Sequence, residues 1–437
     1  MTQALPLPSD LATRTIQTRR EFHQFPELGL TEFRTAGTIA TRLEALGLEV
    51  RAGRDVMDPR SLLGVPSKEV MDAAFARALD EGAPANWLEK FKGGLTGVVG
   101  TLRGKGDGPV IALRCDTDAL PIVESDEQVH APAREGFVSK HRGVMHACGH
   151  DAHAAIGLGV AELLASRRSD LRGTVKFLFQ PAEEGGRGAV PMRDAGVVDD
   201  VDYFIAIHTG MESESGVLYP ITVGWLASAK LDVVYRGIAA HAGGRPNEGR
   251  NALLAAAQAV VGLYGIAPHH AGRSRVNVGV LQAGSGRNVI ADHAFFMMEV
   301  RGDTEEICDY MLARAEAVIR GAAHAQEVGV EIIPAGRTAT AESSRPLAET
   351  VARATSQIPN LRSTLEPKEA GGSEDATFFM RRVQERGGQA IYACVGSHTP
   401  SGHHTPRFDI AESDLGPAVQ ALATAIVEIS HNPPKKG

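Results

Sequence analysis

The segment Met145-His146-Ala147-Cys148-Gly149-His150-Asp151-Ala152-His153 sets one thiol and three imidazoles within eight residues. Gly149, between Cys148 and His150, lets the backbone turn sharply and aim both side chains at one point. Thiolate plus imidazole is a donor set suited to zinc or a similar divalent ion. The same arrangement, a donor placed just after an apolar run, recurs along the chain. Asp116 and Asp118 follow the run ending at Arg114, and Glu183 and Glu184 follow Thr-Val-Lys-Phe-Leu-Phe at 174–179. His208 follows Tyr203 to Ile207, and His403 and His404 follow the run ending near Val395. Ligands of open α/β sheets collect at the carboxyl ends of the strands, so every cluster falls on one sheet edge.

Cys148, His150, Glu184, His208 and one of His403 and His404 make five candidate ligands. A single catalytic zinc takes about three protein ligands and a water. Five suit two ions about 3.5–4 Å apart that share a bridging water. Of the adjacent carboxylates, one can ligate while the other takes a proton from the attacking water and passes it to a leaving nitrogen. Glu183 is assigned as general base and Glu184 as ligand, an order that residue types alone leave open. Asp116 and Asp118 are candidates for orienting a metal-bound histidine or for plain turn chemistry. No H-E-x-x-H, P-loop or G-x-S-x-G element is present, and Gly284-Ser285-Gly286 is too short for a dinucleotide fingerprint.

The elements that must position these residues follow from periodicity. Asp10 to Leu46 reads as a helix pair, with Arg19, Arg20, His23 and Glu32 at polar positions. Asp55 to Lys92 reads as one or two amphipathic helices inserted before the sheet. Thr96–Leu102 and Val110–Arg114 read as strands around a turn, followed by a helix over His153–Ala165 and strands at Thr174–Phe179 and Tyr203–Ile207. Strands separated by helical stretches imply a largely parallel sheet. From about Ala227 the order becomes β-α-β-β-α-β, with strands at 230–235, 276–281, 294–301 and 328–333 and helices at 251–264 and 305–327. This is a ferredoxin-like unit. The first domain then resumes with a helix near 347–357 and a strand at 389–395. The expected fold class is α/β, a mostly parallel-sheet catalytic domain (1–226 and 338–437) with helices on both faces, interrupted by a ferredoxin-like α+β domain (227–337).

The chain has 437 residues, 43% hydrophobic and 22% charged, and a formal net charge of −8. That size supports more than one domain, and the balance is that of a soluble globular protein. With no long basic run, nucleic acid is not the expected partner. Four widely spaced cysteines form no C-x-x-C pair, which points to a reducing compartment. Met1 to Asp10 has no basic segment or apolar core of a signal peptide, and the longest apolar stretch, 252–267, is broken by Gln258, Gly262 and Gly265. A cytoplasmic protein without a membrane span is expected.

The motifs Arg19-Arg20-x-x-His23-x-x-Pro26-Glu27, Arg114 to Pro121, Met145 to His153, Phe179 to Gly185, His208, Ala240-His241-Ala242-Gly243 and Gly402 to Phe408 closely resemble a co-catalytic metallopeptidase family. That family includes aminoacylases, carboxypeptidase-like amidohydrolases and plant auxin-conjugate hydrolases. The resemblance implies two divalent ions, Mn2+ or Zn2+, on Cys148, His150, Glu184, His208 and His404, with Glu183 as base. It favours His404 over His403 because His404-Thr405-Pro406-x-Phe408 is similar to the family's H-S-P-x-F ending. It also implies a lid domain used for dimerisation, with a like chain or a homologous second subunit. In relatives that lid contributes substrate contacts, which map onto His241, Asn288 and Arg301. Arg301 would bind a substrate carboxylate through two parallel hydrogen bonds, and His241 would stabilise an oxyanion. The implied activity is amide hydrolysis that releases an amino acid, glutamate foremost, from an N-acyl or N-aroyl group.

Overall fold

The apolar runs form the strands of two separate sheets. The computed structural model describes residues 3–435 and divides into two compact units. One comprises Met1–Val223, Ala341–Ala370 and Asp375–Gly437; the other comprises Gly224–Thr340 and Gly371–Glu374.

The first unit is built on an eight-stranded sheet. Its strand order is Glu49–Ala52, Val98–Arg103, Thr174–Gln180, Val110–Asp116, Tyr203–Thr209, Gln389–Ser397, Ser213–Tyr219 and Arg362–Ser363. The four central strands, from Thr174–Gln180 to Gln389–Ser397, are parallel. Antiparallel strands flank them on both sides. Every residue of Tyr203–Thr209 and of Gln389–Ser397 is buried, as expected of strands covered on both faces. Alternation sorts their side chains: Ile205 and Ile207 join the cluster that contains Leu422 and Ile426 of the helix Leu415–His431, whereas Phe204 meets Phe379 of the helix Thr377–Glu385 at 5.7 Å between ring centroids.

Several elements lie outside the expected set. The helix Leu415–His431 is buried along nearly its whole length, so its sequence shows no amphipathic stripe. The strand Ser213–Tyr219 starts with four polar or glycine positions and lacks a clear period of two. The inserted segment, by contrast, forms two helices as expected, Lys68–Asp80 and Ala85–Phe91. The Ser67 hydroxyl caps the first by accepting from the Val70 amide. Trp87, Leu88 and Phe91 of the second are buried, Leu88 and Phe91 each contributing about 1.5–3 kcal/mol relative to exposure.

The second unit is an antiparallel four-stranded sheet in the order Gly329–Thr338, Ala227–Arg236, His293–Gly302, Ser274–Ala283. The helices Ala252–Tyr264 and Glu305–Ala325 share its core, in which Val233, Tyr235, Phe296 and Ile319 are fully buried. Among the described residues, no helix is long and apolar enough to cross a membrane.

Candidate metal centre

The helix His150–Ser166 begins at Gly149, whose φ of 95° favours glycine. A Cβ there would stand 2.5 Å from Thr209 Oγ1, so the turn also needs the missing side chain. This turn points Cys148 and His150 into one cluster. Cys148 Sγ lies 3.5 Å from His208 Nε2. The donor atoms of Cys148, His150 and His208 are all within 4.8 Å of one another; so are those of Cys148, Glu184 and His404, and those of His150, Glu183 and Glu184. Cys148, His150 and Glu184 each belong to two of these triads, so the donors form overlapping sets rather than one.

Hydrogen bonds fix which imidazole nitrogens are free. His150 Nδ1 faces the Asp118 carboxylate at 3.3 Å and must donate, because an ionised carboxylate only accepts. His150 Nε2 is buried and without a hydrogen-bond partner, and it is the atom that would ligate once a cation displaces its proton. His208 Nδ1 donates to the Thr209 carbonyl at 2.8 Å, which leaves its Nε2 lone pair facing Cys148. An acceptor behind each ring is the arrangement that orients a metal-bound histidine. An orphaned buried nitrogen, a thiol and carboxylates fit a divalent cation.

His153 does not fit. Its Nε2 accepts the Thr209 amide at 2.8 Å and its Nδ1 faces Asp116 at 2.5 Å, so no lone pair remains for an ion. His146 is buried with neither ring nitrogen hydrogen-bonded among the described residues and joins none of the triads above. His153 stands within 4.8 Å of His150 and Asp116, so of the four donors in the opening motif Cys148 and His150 are the ones that both converge and keep an atom for an ion.

Behind the donors stands a polar frame. Asp118 accepts the backbone amides of Glu183 and Glu184 at 3.0 and 3.1 Å. Asp116 accepts from Arg114 at 2.6 Å, and Arg114 in turn donates to Gln180 at 2.7 Å. Gln180 donates to Asp375 at 2.7 Å, and Asp375 takes the amides of Gly188 and Ala189. Ala182 holds a φ of 53° directly before Glu183, and its amide donates to buried Glu32 at 2.8 Å. Arg114, Gln180, Glu32 and Asp375 were not among the sequence-expected site residues. Arg114 and Gln180 end apolar runs, but nothing local ties them to Asp116 or Asp375, and no local pattern marks Glu32 or Asp375.

The doublet separates into two roles. His403 Nε2 accepts the Met211 amide at 3.1 Å, so its Nδ1 carries the proton and faces Cys148 Sγ at 3.6 Å. His404, with φ 61°, places Nε2 3.3 Å from Glu184 Oε1. Burial, reinforced by His404, lowers the His403 pKa to about 4.

Burial and then the Glu184, Glu183 and Asp116 charges push the Cys148 thiol well above its ordinary pKa. Burial works against a proton on His150, yet Asp116 and Asp118 raise that ring to about 10. The pocket is thus strongly negative, and a bound cation would reverse the Cys148 shift.

In the second unit, His241 Nδ1 accepts the amides of Gly243 and Gly244, leaving the proton on exposed Nε2. Asn288 is beside it, its carbonyl accepting the Ala242 amide at 3.1 Å. Arg301 is elsewhere. It pairs in two-pronged fashion with Glu299, at 2.9 and 3.1 Å. His241 bridges Val289, beyond the His293 end of the strand His293–Gly302, whereas Arg301 lies near the other end, about 26 Å from His293 at about 3.3 Å per residue.

Residues 112–428 match the profile of Peptidase family M20/M25/M40. The chain belongs to this family. It is 46% identical over 408 residues to indole-3-acetyl-aspartic acid hydrolase of Enterobacter agglomerans, covering 93% of this chain and 94% of that one. It is 45% identical over 416 residues to one of the subunits of p-aminobenzoyl-glutamate hydrolase from Escherichia coli, covering 95% of each. The crystal structure of an aminobenzoyl-glutamate utilization protein from Klebsiella pneumoniae superposes with a TM-score of 0.81 at 41% identity, covering 97% of this chain and 98% of that one. A dinuclear metal binding M20 peptidase of Bacillus subtilis superposes with a TM-score of 0.65 at 26% identity, covering 97% and 99%. The M20 membership makes this chain a hydrolase of the metallopeptidase type, and the expected α/β class is that of its family.

Proposed function

We propose that this chain hydrolyses the amide bond of an N-acyl or N-aroyl amino acid, with p-aminobenzoyl-glutamate, a folate breakdown product, as the favoured substrate. The observation that carries the reading is the set of overlapping triads around Cys148, His150 and Glu184, with Glu183 next to the last of them. The acidic leaving group follows the relatives named for glutamate and aspartate conjugates.

The assigned ligands are Cys148, His150, Glu184, His208 and His404, for two Mn2+ or Zn2+ ions. Such a pair supplies Lewis-acid polarisation of a carbonyl and acidification of water. Glu183 takes the proton from the attacking water and delivers it to the leaving nitrogen. Asp118 holds the Glu183–Glu184 backbone and the His150 ring in register, while Asp116 supports the same cluster from the Arg114 side. His241 Nε2–H donates to the developing oxyanion, Asn288 stands beside it, and Arg301 binds the substrate carboxylate once released from Glu299.

His241 and Asn288 lie far along the sheet from Arg301, so one substrate the size of a single amino-acid conjugate draws on lids of two chains. Exposed apolar residues on the lid support this pairing. Ser274–Ala283 is an edge strand, and Val280 and Leu281 on it and Leu253, Val261 and Tyr264 on the neighbouring helix are exposed. The partner is a second copy or a homologous second subunit. Four unpaired, buried cysteines suit the reducing cytoplasm.

The test is a substrate panel with the purified single chain and added Mn2+ or Zn2+. The expected kcat/KM for p-aminobenzoyl-glutamate exceeds that for N-acetyl amino acids and dipeptides by at least about tenfold. Preference for an acetylated amino acid would keep the chemistry and move the substrate. No turnover of any of them would make this a metal-holding, non-catalytic subunit.

A further inference from the structure

A second set of donor atoms comes from the helix Ser9–Gln24 and from the segment that follows the strand Val110–Asp116. Glu124 Oε1 stands 2.9 Å from His23 Nε2 and 2.9 Å from His130 Nε2. The three side chains offer donor atoms within 4.8 Å of one another. His23 and His130 are buried, and the Glu124 side chain is only 5% exposed. The far atom of two of these groups is also tied down. Glu124 Oε2 accepts the Ser139 amide at 2.6 Å, and His23 Nδ1 faces Asp151 Oδ2 at 2.8 Å. A carboxylate behind an imidazole is how metal-bound histidines are oriented.

The local charge favours a cation. Arg19, fully buried, is already shared among Asp151, Asp409 and Glu412. Glu124 forms its ion pairs with His23 and His130, and among the described residues no lysine or arginine pairs with it. Burial works against a proton on His23 and Arg19 repels it, yet Asp151 and Glu124 raise its pKa to about 9. The field that draws a proton to this point also draws a divalent ion, which would neutralise Glu124 with both rings uncharged.

We propose that His23 Nε2, Glu124 Oε1 and His130 Nε2 form a third metal site, distinct from the Cys148–His150 centre and suited to zinc or a similar divalent ion. Tetrahedral ligands about 2.0 Å from an ion stand about 3.3 Å apart, so the two 2.9 Å spacings to Glu124 Oε1 need only a few tenths of an ångström of adjustment. The ion would pin the segment 124–139 to the helix Ser9–Gln24 and, through Asp151, to the residue next to His150. The competing arrangement is a doubly protonated His23 and a protonated His130 Nε2, all hydrogen-bonded to the carboxylates.

Crystals of the full-length chain grown with zinc chloride, measured on both sides of the zinc absorption edge, separate the two. The expected result is an anomalous peak about 2.0–2.2 Å from all three atoms in the wild type and its loss in His130→Gln. Zinc per chain after gel filtration should fall by one equivalent in that variant. No peak at this position in the wild type, or an undiminished one in His130→Gln, overturns the proposal. Peaks beside Cys148 and His150 appear in the same maps and report separately on the hydrolase reading.

Discussion

Asp118 and His150 meet at 3.3 Å, and the same carboxylate takes the backbone amides of Glu183 and Glu184. One side chain therefore sets the ring that would ligate and the loop that carries base and ligand. Asp118→Asn replaces an acceptor with a donor that opposes an amide N–H. Metal affinity, read by competition with a chromogenic chelator, is expected to weaken about 10–100-fold. Unchanged affinity would remove Asp118 from this role.

Glu183→Gln keeps the size of the side chain and abolishes its basicity. The expected loss in kcat is about 10²–10⁴-fold, with KM and metal content nearly unchanged. Steady-state kinetics alongside metal analysis checks this. Loss of metal instead would exchange the roles of Glu183 and Glu184.

The histidine doublet gives a paired comparison. His404→Ala is expected to lower bound metal by one ion per chain, since its Nε2 faces Glu184. His403→Ala is expected to retain both ions, because its Nε2 is spent on the Met211 amide. Metal stoichiometry in the reverse pattern would move the ligand assignment to His403.

Much of this site was legible because its donors sit beside long apolar runs. Strand period and strand ends are local properties, so Glu184 and His208 could be placed on one edge without coordinates, and Cys148 and His150 were legible from their spacing about a glycine. Gly149 was legible for the same reason. The frame behind them was not. Arg19 reaches Asp409 and Gln180 reaches Asp375 across hundreds of residues, and nothing in local pattern registers such pairs. His153 illustrates the limit: its type and spacing suit a ligand, and only its hydrogen bonds show that both nitrogens are used. The Arg301–Glu299 pair was readable in principle, since residues two apart on a strand share a face. The helix Leu415–His431 escaped because a helix buried on all sides has no stripe.

Glu32 supplies a pH test in chelator-treated protein. Burial, then the Asp118 charge, raises its carboxyl from the usual 4.5 to about 8. A carboxyl raised on folding adds stability in full below about pH 4.5 and loses it as pH climbs through about 8. Over that window the melting temperature of the wild type should fall relative to Glu32→Gln, which cannot ionise. Parallel pH profiles for the two proteins would show that Glu32 does not titrate in this way.

The most direct measurement is turnover of p-aminobenzoyl-glutamate by chelator-stripped chain titrated with Mn2+ or Zn2+. The expected result is no release of glutamate from stripped protein and recovery that saturates near two equivalents of metal at the hydrolase centre, counted in His130→Gln so that the third site does not contribute. Full turnover by the stripped chain, or recovery complete without metal at Cys148 and His150, would contradict it.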